Sequence, residues 1–469
     1  MTSLTTLLAA ALLAQPGQGI RQYISVSDSI VALTNVRVID GTGATPRTGQ
    51  TIVMKGGVIQ AVGGTGQVTI PGGARTLDLA GRTVMPGYVM LHEHLFYPSG
   101  GGGVYNEQGY SFPRLYLAGG VTTMRTGGNM AGYADLNIKK AIDEGAMLGP
   151  AIDVTAPYLN GPGLSLTIPQ VKTLRDADDA RKMVSYWADE GATSFKAYMH
   201  ITRASLRAAV EEAHRRGLKV TGHLCSVTFR EAATLGIDDL EHGFVTASDF
   251  VTDKKPDECP AGGAVQRSIA ALDPNGAPVR DLIAELVRRR VAITSTLTVF
   301  ETFVGSQPNA PAKALEAMLP EARRQYEQTR ATLARSPDST WAVLLRKEMQ
   351  LEKMFADAGG LLIVGTDPTG FGGVIAGYSN QRALELLVQA GFTPLEAIKV
   401  ATLNGARYLG REARIGSIAV GKQADLIVVR GDPSTRIDDV QNVELVFKQG
   451  VGYDSPKIFE SVKGRVGLH

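Results

Sequence analysis

The chain is poor in cysteine: Cys225 and Cys259 are the only two, with no C-x-x-C spacing, which excludes a disulfide framework, a zinc knuckle and a dithiol redox pair. A single bond between the two stays open. No apolar run reaches the ~18 residues needed to span a bilayer, so no membrane partner is expected. Charge of one sign is also missing: 48 Lys and Arg stand against 46 Asp and Glu, and no basic run or arm is present. That balance excludes the electrostatic footprint of a nucleic-acid binder. Low-complexity tracts are absent beyond Gly100–Gly103, too short for a linker and suited to a loop close to substrate.

What is there is a folded chain of 469 residues, 44% hydrophobic and 20% charged, enough for one large and one smaller domain. Its start, TTLLAAALLAQPGQG, has the apolar core and exit of a secretory signal, but no Lys or Arg precedes it. Read as a signal, residues 1–22 send the protein to a secreted or periplasmic location. Read as an N-terminal helix, they leave it cytoplasmic.

Between Val31 and Gly81 short β-like runs alternate with Gly, Pro and Asp turns, and the same texture returns in GSIAVGKQADLIVVRGDP and NVELVFKQGVGYD. Residues 23–84 and 413–469 are therefore expected to pair into a small β-sandwich domain. Residues 85–412 read differently. Short apolar runs such as TVMPGYVML, GVTTMRT, TSFKAYM, KVTGHL and LLIVGTD alternate with amphipathic stretches such as SLRAAVEEAHRRGL. Eight buried strands followed by helical sequence predict an α/β fold, a (β/α)₈ TIM barrel with active residues at the strand C-terminal ends. The charged, helical stretch from about Ala310 to Ala358 exceeds one barrel helix and is expected to add a cover near one face.

The residues that can do chemistry fall at those ends. In VMLHEHLF, His92 and His94 are two apart on a strand and point to one side, so both can reach one cation. Lys196 interrupts the apolar TSFKAYM, where an ammonium is costly unless neutralised or paired. His223, His242 and Asp367 end KVTGHL, IDDLEHG and LLIVGTD. Each alone reads as a satisfied structural residue. Converging together they leave polar groups that one or two divalent cations would satisfy. His214, on a charged helix face, and the terminal His469 read as solvated. His200 is placed against the pocket rather than as a ligand. Tyr97, Tyr105, Tyr158 and Tyr198 are candidates for an aromatic wall, and Arg125 for a substrate contact.

The order HxH, Lys, His, His, Asp, with VRVIDGTG before it and IGSIAVGKQADLIVV after it, resembles the amidohydrolase superfamily. The similarity is to the subgroup of imidazolonepropionase-like proteins, prolidase-like metallodipeptidases and phenylurea or ochratoxin amide hydrolases. The resemblance implies a metal-dependent hydrolase of the barrel type acting on a C–N bond of a small molecule, an amide, N-acyl amino acid, urea or carbamate. It implies two divalent ions, zinc with cobalt or manganese as alternatives. His92, His94 and Asp367 would hold one ion, and His223 and His242 the other. Lys196, carboxylated by CO₂, would bridge them as a carbamate. A bridging hydroxide would attack the carbonyl, with Asp367 as general base and acid. A homo-oligomer is expected.

The chain departs from that pattern in three places. Thr126 rather than Asp follows Arg125. Cys225 and Ser226 stand where dipeptidase-like members carry Tyr after the third metal His. Asn160-Gly161-Pro162-Gly163 replaces a Gly-Gly-His. These weaken the alternative reading as an Xaa-Pro-type dipeptidase. A ring deaminase would lack the strand lysine and carry a Glu close after His223, whereas Glu231 is eight residues on. A non-catalytic binding barrel would have lost ligands.

Overall fold

The structure is a computed structural model and describes residues 18–98, 104–163, 171–335 and 340–467. The N-terminal apolar stretch before residue 18, the Gly100–Gly103 run and His469 lie outside the described residues.

The first strands are β1 (Ile24–Val26), β2 (Ile30–Val38), β3 (Arg47–Lys55), β4 (Val58–Gly64), β5 (Arg75–Asp78) and β6 (Arg82–Pro86). The chain then enters β7 (Tyr88–Glu93) and a short hairpin of β8 (Phe96–Pro98) and β9 (Tyr105–Glu107). It continues through β10 (Val121–Thr126), β11 (Ala151–Asp153), β12 (Ser194–Ala197), β13 (Lys219–Gly222), β14 (Asp239–Glu241), β15 (Ala292–Ser295) and β16 (Leu362–Val364). It ends in β17 (Leu426–Arg430), β18 (Val443–Lys448) and β19 (Val451–Asp454).

β7, β10 and β11 pair in parallel, as do β12 to β16 in succession. Parallel bridges Thr155–Ser194 and Leu159–Ala197 join the two sets. At the other seam Thr366 and Asp367 donate their backbone N–H to His92 O at 3.0 and 3.1 Å. The seam is tight because residue 365 is glycine: a Cβ there would stand 2.5 Å from the His92 backbone nitrogen. The pairings thus run in sequence order from β7 round to β16 and back, and they bring the C-terminal ends of the strands together.

The helices between the strands follow from amphipathic sequence. Arg203–Arg215 is capped by Thr202, whose side chain accepts from Ser205 N, and buries Leu206, Ala209, Val210 and Ala213. Residues 312–357 form three helices, Ala312–Ala317, Pro320–Ala334 and Thr340–Asp357, where one charged helical stretch was expected.

The terminal strands form a single mixed nine-stranded sheet in the order β1-β19-β18-β17-β6-β2-β3-β4, with β5 beside β2. It is one continuously bonded sheet drawn from both terminal segments. Val and Ile positions on β2, β3, β4, β6 and β17 share one core with Leu33, Met54, Leu426 and, from β18, Phe447. The two cysteines are joined: Cys225 and Cys259 form a disulfide with Cα atoms 4.9 Å apart, tying residues just beyond β13 to the segment after Phe250.

Candidate active site

Each functional side chain sits where an apolar strand gives way to a loop. β7 ends in His92-Glu93-His94, and strand alternation sends the two imidazoles one way and Glu93 the other. Lys196 lies within β12, His223 one residue beyond β13, His242 one beyond β14, and Asp367 three beyond β16. All six are brought together. His94 Nε2 lies 3.3 Å from Asp367 Oδ1, His92 Nε2 3.8 Å from the same oxygen, and His242 Nδ1 3.6 Å from Oδ2. The His242 ring stands 4.6 Å from that of His92 and 4.4 Å from that of His223. Ligand atoms of His92, His242 and Asp367 lie within 4.8 Å of one another, close enough to share one ion.

The protonation states suit a cation. Burial lowers the basicity of all four imidazoles, with Lys196 adding to the effect, and takes His223 down to about 3. They are held neutral at physiological pH. Burial alone would raise the Asp367 carboxyl, but the hydrogen bond with His94 and the charges of His242, His94 and Lys196 hold it well below the usual carboxylate range. Burial pushes the Lys196 ammonium down to about 7, with Arg125 also lowering it and Asp367 and Asp239 opposing. His94 Nδ1 donates to Gly128 O at 3.0 Å, which leaves Nε2 free to coordinate.

Two of these residues hold unusual backbone. His242 has φ 69° and Asp367 φ 51°, in the left-handed region that costs non-glycine residues about 1–3 kcal/mol. The bonds from Gly243 N to Thr294 O and from Asp367 N to His92 O hold them there.

A layer of buried acids under the site escaped the sequence reading. Glu241 touches Lys196 Nζ, lies 3.2 Å from His92 Nδ1 and accepts from Arg125 at 3.0 Å. Glu93 accepts from Thr366 Oγ1 and from Asn380 Nδ2, binding the ends of the first and last parallel strands; burial raises it to about 8. Glu348 and Glu352, on Thr340–Asp357, are buried behind His242, with Glu348 accepting from Phe244 N at 2.8 Å. Acids inside apolar runs, as in IDDLEHG, were the available signal.

Arg125 is a correction. It was expected to contact substrate, but it is 1% exposed, and its guanidinium bonds Asp239 at 2.9 Å and Glu241 at 3.0 Å inside the strand ring. Its charge is used to compensate buried carboxylates. His214 is also less free than expected, since Nε2 lies 2.9 Å from Asp238. Tyr105, Tyr158 and Tyr198 pack in one cluster round Phe96. Tyr158 and Tyr198 stack at 4.6 Å, and Tyr198 packs at 5.0 Å against His223. Tyr97 and Tyr105 lie on the hairpin after β7, where the Tyr97 hydroxyl accepts from Gly373 N. His200 is half-buried beyond β12, its backbone N–H bonded to Asn160 Oδ1. Glu231 caps the helix Phe229–Leu235 with Thr228 and pairs with Arg203.

Known proteins resemble this chain. An imidazolonepropionase from Porphyromonas gingivalis is 24% identical over 422 residues, spanning 85% of this chain and 86% of that protein. Among solved structures, a putative prolidase from Bifidobacterium longum superposes with a TM-score of 0.67 at 24% identity over 92% of this chain and 99% of its own. A bottromycin amidohydrolase does so with a TM-score of 0.70 at 21% identity over 96% and 95%. At these identities the structural likenesses speak to the fold, and with the family they imply a TIM barrel carrying a small β domain. The Amidohydrolase family model matches residues 83–452, which takes in every strand from the first histidine pair to the return into the terminal sheet, and the chain therefore belongs to the amidohydrolase family.

Proposed function

We propose that the protein is a binuclear metal-dependent amidohydrolase that cleaves a C–N bond of an amide, N-acyl amino acid, urea or carbamate. The observation that carries this is the meeting of four neutral imidazoles, an ionised aspartate and a low-pKa lysine at the ends of parallel strands. His92, His94 and Asp367 would hold one ion and His223 and His242 the other. Zinc suits the imidazole and carboxylate set, with cobalt or manganese as alternatives. Bound there, divalent ions supply Lewis acidity and lower the pKa of water.

The remaining steps belong to the chain. Lys196, its ammonium pushed down by burial, could in its neutral form add CO₂ and lose a proton, giving a carbamate that would help hold the ions. Asp367 accepts the proton of the attacking water and passes it to the departing nitrogen. Glu241 orients His92 from behind, as carboxylates do for metal-bound imidazoles. The stacked Tyr158 and Tyr198 stand beside His223 and offer a flat apolar surface for the acyl half. The ring-deaminase alternative finds little support, because Glu231 is engaged as a helix cap.

The test is elemental analysis of zinc-loaded protein with assays on dipeptides, N-acyl amino acids, aryl amides, phenylureas and lactones. About two ions per chain and release of an amine from one class support the reading. Protein that binds no divalent ion would overturn it.

A further inference from the structure

Beside the candidate centre lies a second cavity, of about 320 Å³, between the hairpin β8–β9, the helix Pro320–Ala334 and the loop after Asp367. Its walls carry the rings of Tyr97, Tyr105, Tyr326 and Phe371, with Gln325 and Thr329 as polar groups, and no charged side chain lines it among the described residues. Phe371 is four residues on from Asp367 in one loop. The Tyr105 phenol is raised to about 12 by burial and, next, by the charge of Asp367. Its ring packs at 5.3 Å on Phe96, which stacks at 4.3 Å on His94. The cavity is therefore one ring removed from the residues that would hold the metal, on the side of Asp367.

That side has a chemical meaning. In hydrolysis of R–CO–NHR′, water adds its oxygen to the carbonyl carbon, the C–N bond breaks, and the nitrogen leaves as H₂N–R′ with a proton delivered by Asp367. The nitrogen must therefore approach Asp367, and R′ must extend past it. Tyr158 and Tyr198, stacked together beside His223, are left for the acyl half. An R′ bearing a carboxylate or an ammonium would lose its water in a cavity with no counter-charge, at a cost of several kcal/mol. A neutral ring would bury its faces against four aromatic rings.

We infer that this cavity receives the amine half of the substrate, and that this half carries an uncharged aromatic or alicyclic ring. The inference rests on the hydrolytic reading above, and the experiment separates the two. Zinc-loaded protein is assayed on a benzoyl series differing only in the amine: benzanilide, hippurate, benzoylagmatine and benzamide. Acetanilide binding is measured in parallel by calorimetric titration. Thr329→Trp fills the cavity from the helix, and Val104→Trp, at its exposed rim, serves if the first variant does not fold.

Expected are a kcat/KM at least tenfold higher for benzanilide than for hippurate or benzoylagmatine, a tenfold fall in the benzanilide to benzamide ratio in the variants, and weaker acetanilide binding. Hydrolysis that ignores the charge of the amine, or binding and ratios unmoved by both variants, would overturn the cavity assignment and leave the hydrolase standing. Acetanilide binding that the variants weaken, without hydrolysis of any amide, would keep the cavity and overturn the hydrolase. Neither binding nor hydrolysis overturns both.

Discussion

Glu241 Oε2 lies 3.2 Å from His92 Nδ1 while the other oxygen of the same carboxylate accepts from Arg125. One buried acid thus links a candidate metal ligand to a buried arginine and, through Lys196, to the candidate bridging residue. Glu241→Gln keeps the volume and removes the charge. Metal affinity, measured by competition with a chelator, is expected to fall about 10–100-fold, the usual cost of losing such a support. An unchanged affinity would reduce Glu241 to a packing residue.

Lys196 and Asp367 should separate cleanly. Lys196→Ala removes the group that would bridge two ions, so the metal content per chain should drop. Asp367→Asn keeps an oxygen ligand and loses the proton shuttle, so metal should remain while kcat falls by about 10²–10⁴. Full turnover in the lysine variant would remove the carbamate from the scheme.

The pH dependence of stability should carry the mark of Asp135. Burial, with Glu107 adding to it, raises its carboxyl from 3.8 to about 8. Below pH about 4 it is neutral in both folded and unfolded chains. Between about 4 and 8 the folded chain keeps the proton that the unfolded chain has lost, so this group makes stability fall as pH rises, and the loss is complete above 8. Asp135→Asn should therefore raise Tm at pH 9 and change it little at pH 4. Equal shifts at both pH values would refute the assignment.

Much of this site was legible because its ligands are punctuation: a histidine or aspartate ending an apolar strand stands out in a linear chain, and strand order does the rest. The layer beneath was not. Glu241 gains Arg125 and His92 as neighbours only when β14 is set opposite β10 and β7, and Glu93 gains Asn380 only when the first and last parallel strands meet. Arg125 was misread because alternation along β10 says which way a side chain points but not how deep in the ring it lies. The cysteine pair was open for a related reason: the two stand 34 positions apart with β14 between them, and only the packed chain sets the distance.

That pair gives its own prediction. The bond closes a loop of 34 residues between the end of β13 and the segment beyond Phe250, and chain entropy assigns such closures about 2–4 kcal/mol. Reduction with a non-chelating phosphine, or a Cys225→Ser/Cys259→Ser double variant, should lower Tm by several degrees. Because Cys225 is two residues from His223, metal retention at elevated temperature should fall with it. Identical melting of oxidised and reduced protein would show the link to be dispensable.

Gly243 offers a steric test. A Cβ there would fall onto the buried Glu348 carboxylate, and the residue has φ 58°. Gly243→Ala should displace His242, which precedes it, and cost both stability and metal. Gly243→Ala combined with Glu348→Ala should recover part of the loss, read as Tm and ions bound per chain. No recovery would place the strain in the backbone rather than in the contact.

The order of strands in the terminal sheet bears on how the protein is made. Among the described residues β1 hydrogen-bonds to its sheet only through β19, with Ile24 opposite Tyr453, and β17 to β19 stand between β1 and β6. A ribosome delivers those three strands after β1 to β16. Until they emerge, β6 lacks one neighbour, β1 has no partner at all, and the apolar face they complete is open to other chains. The nascent protein must wait for β17 to β19 to emerge before this sheet can close, so the interval before they appear is when chaperone contact should matter most.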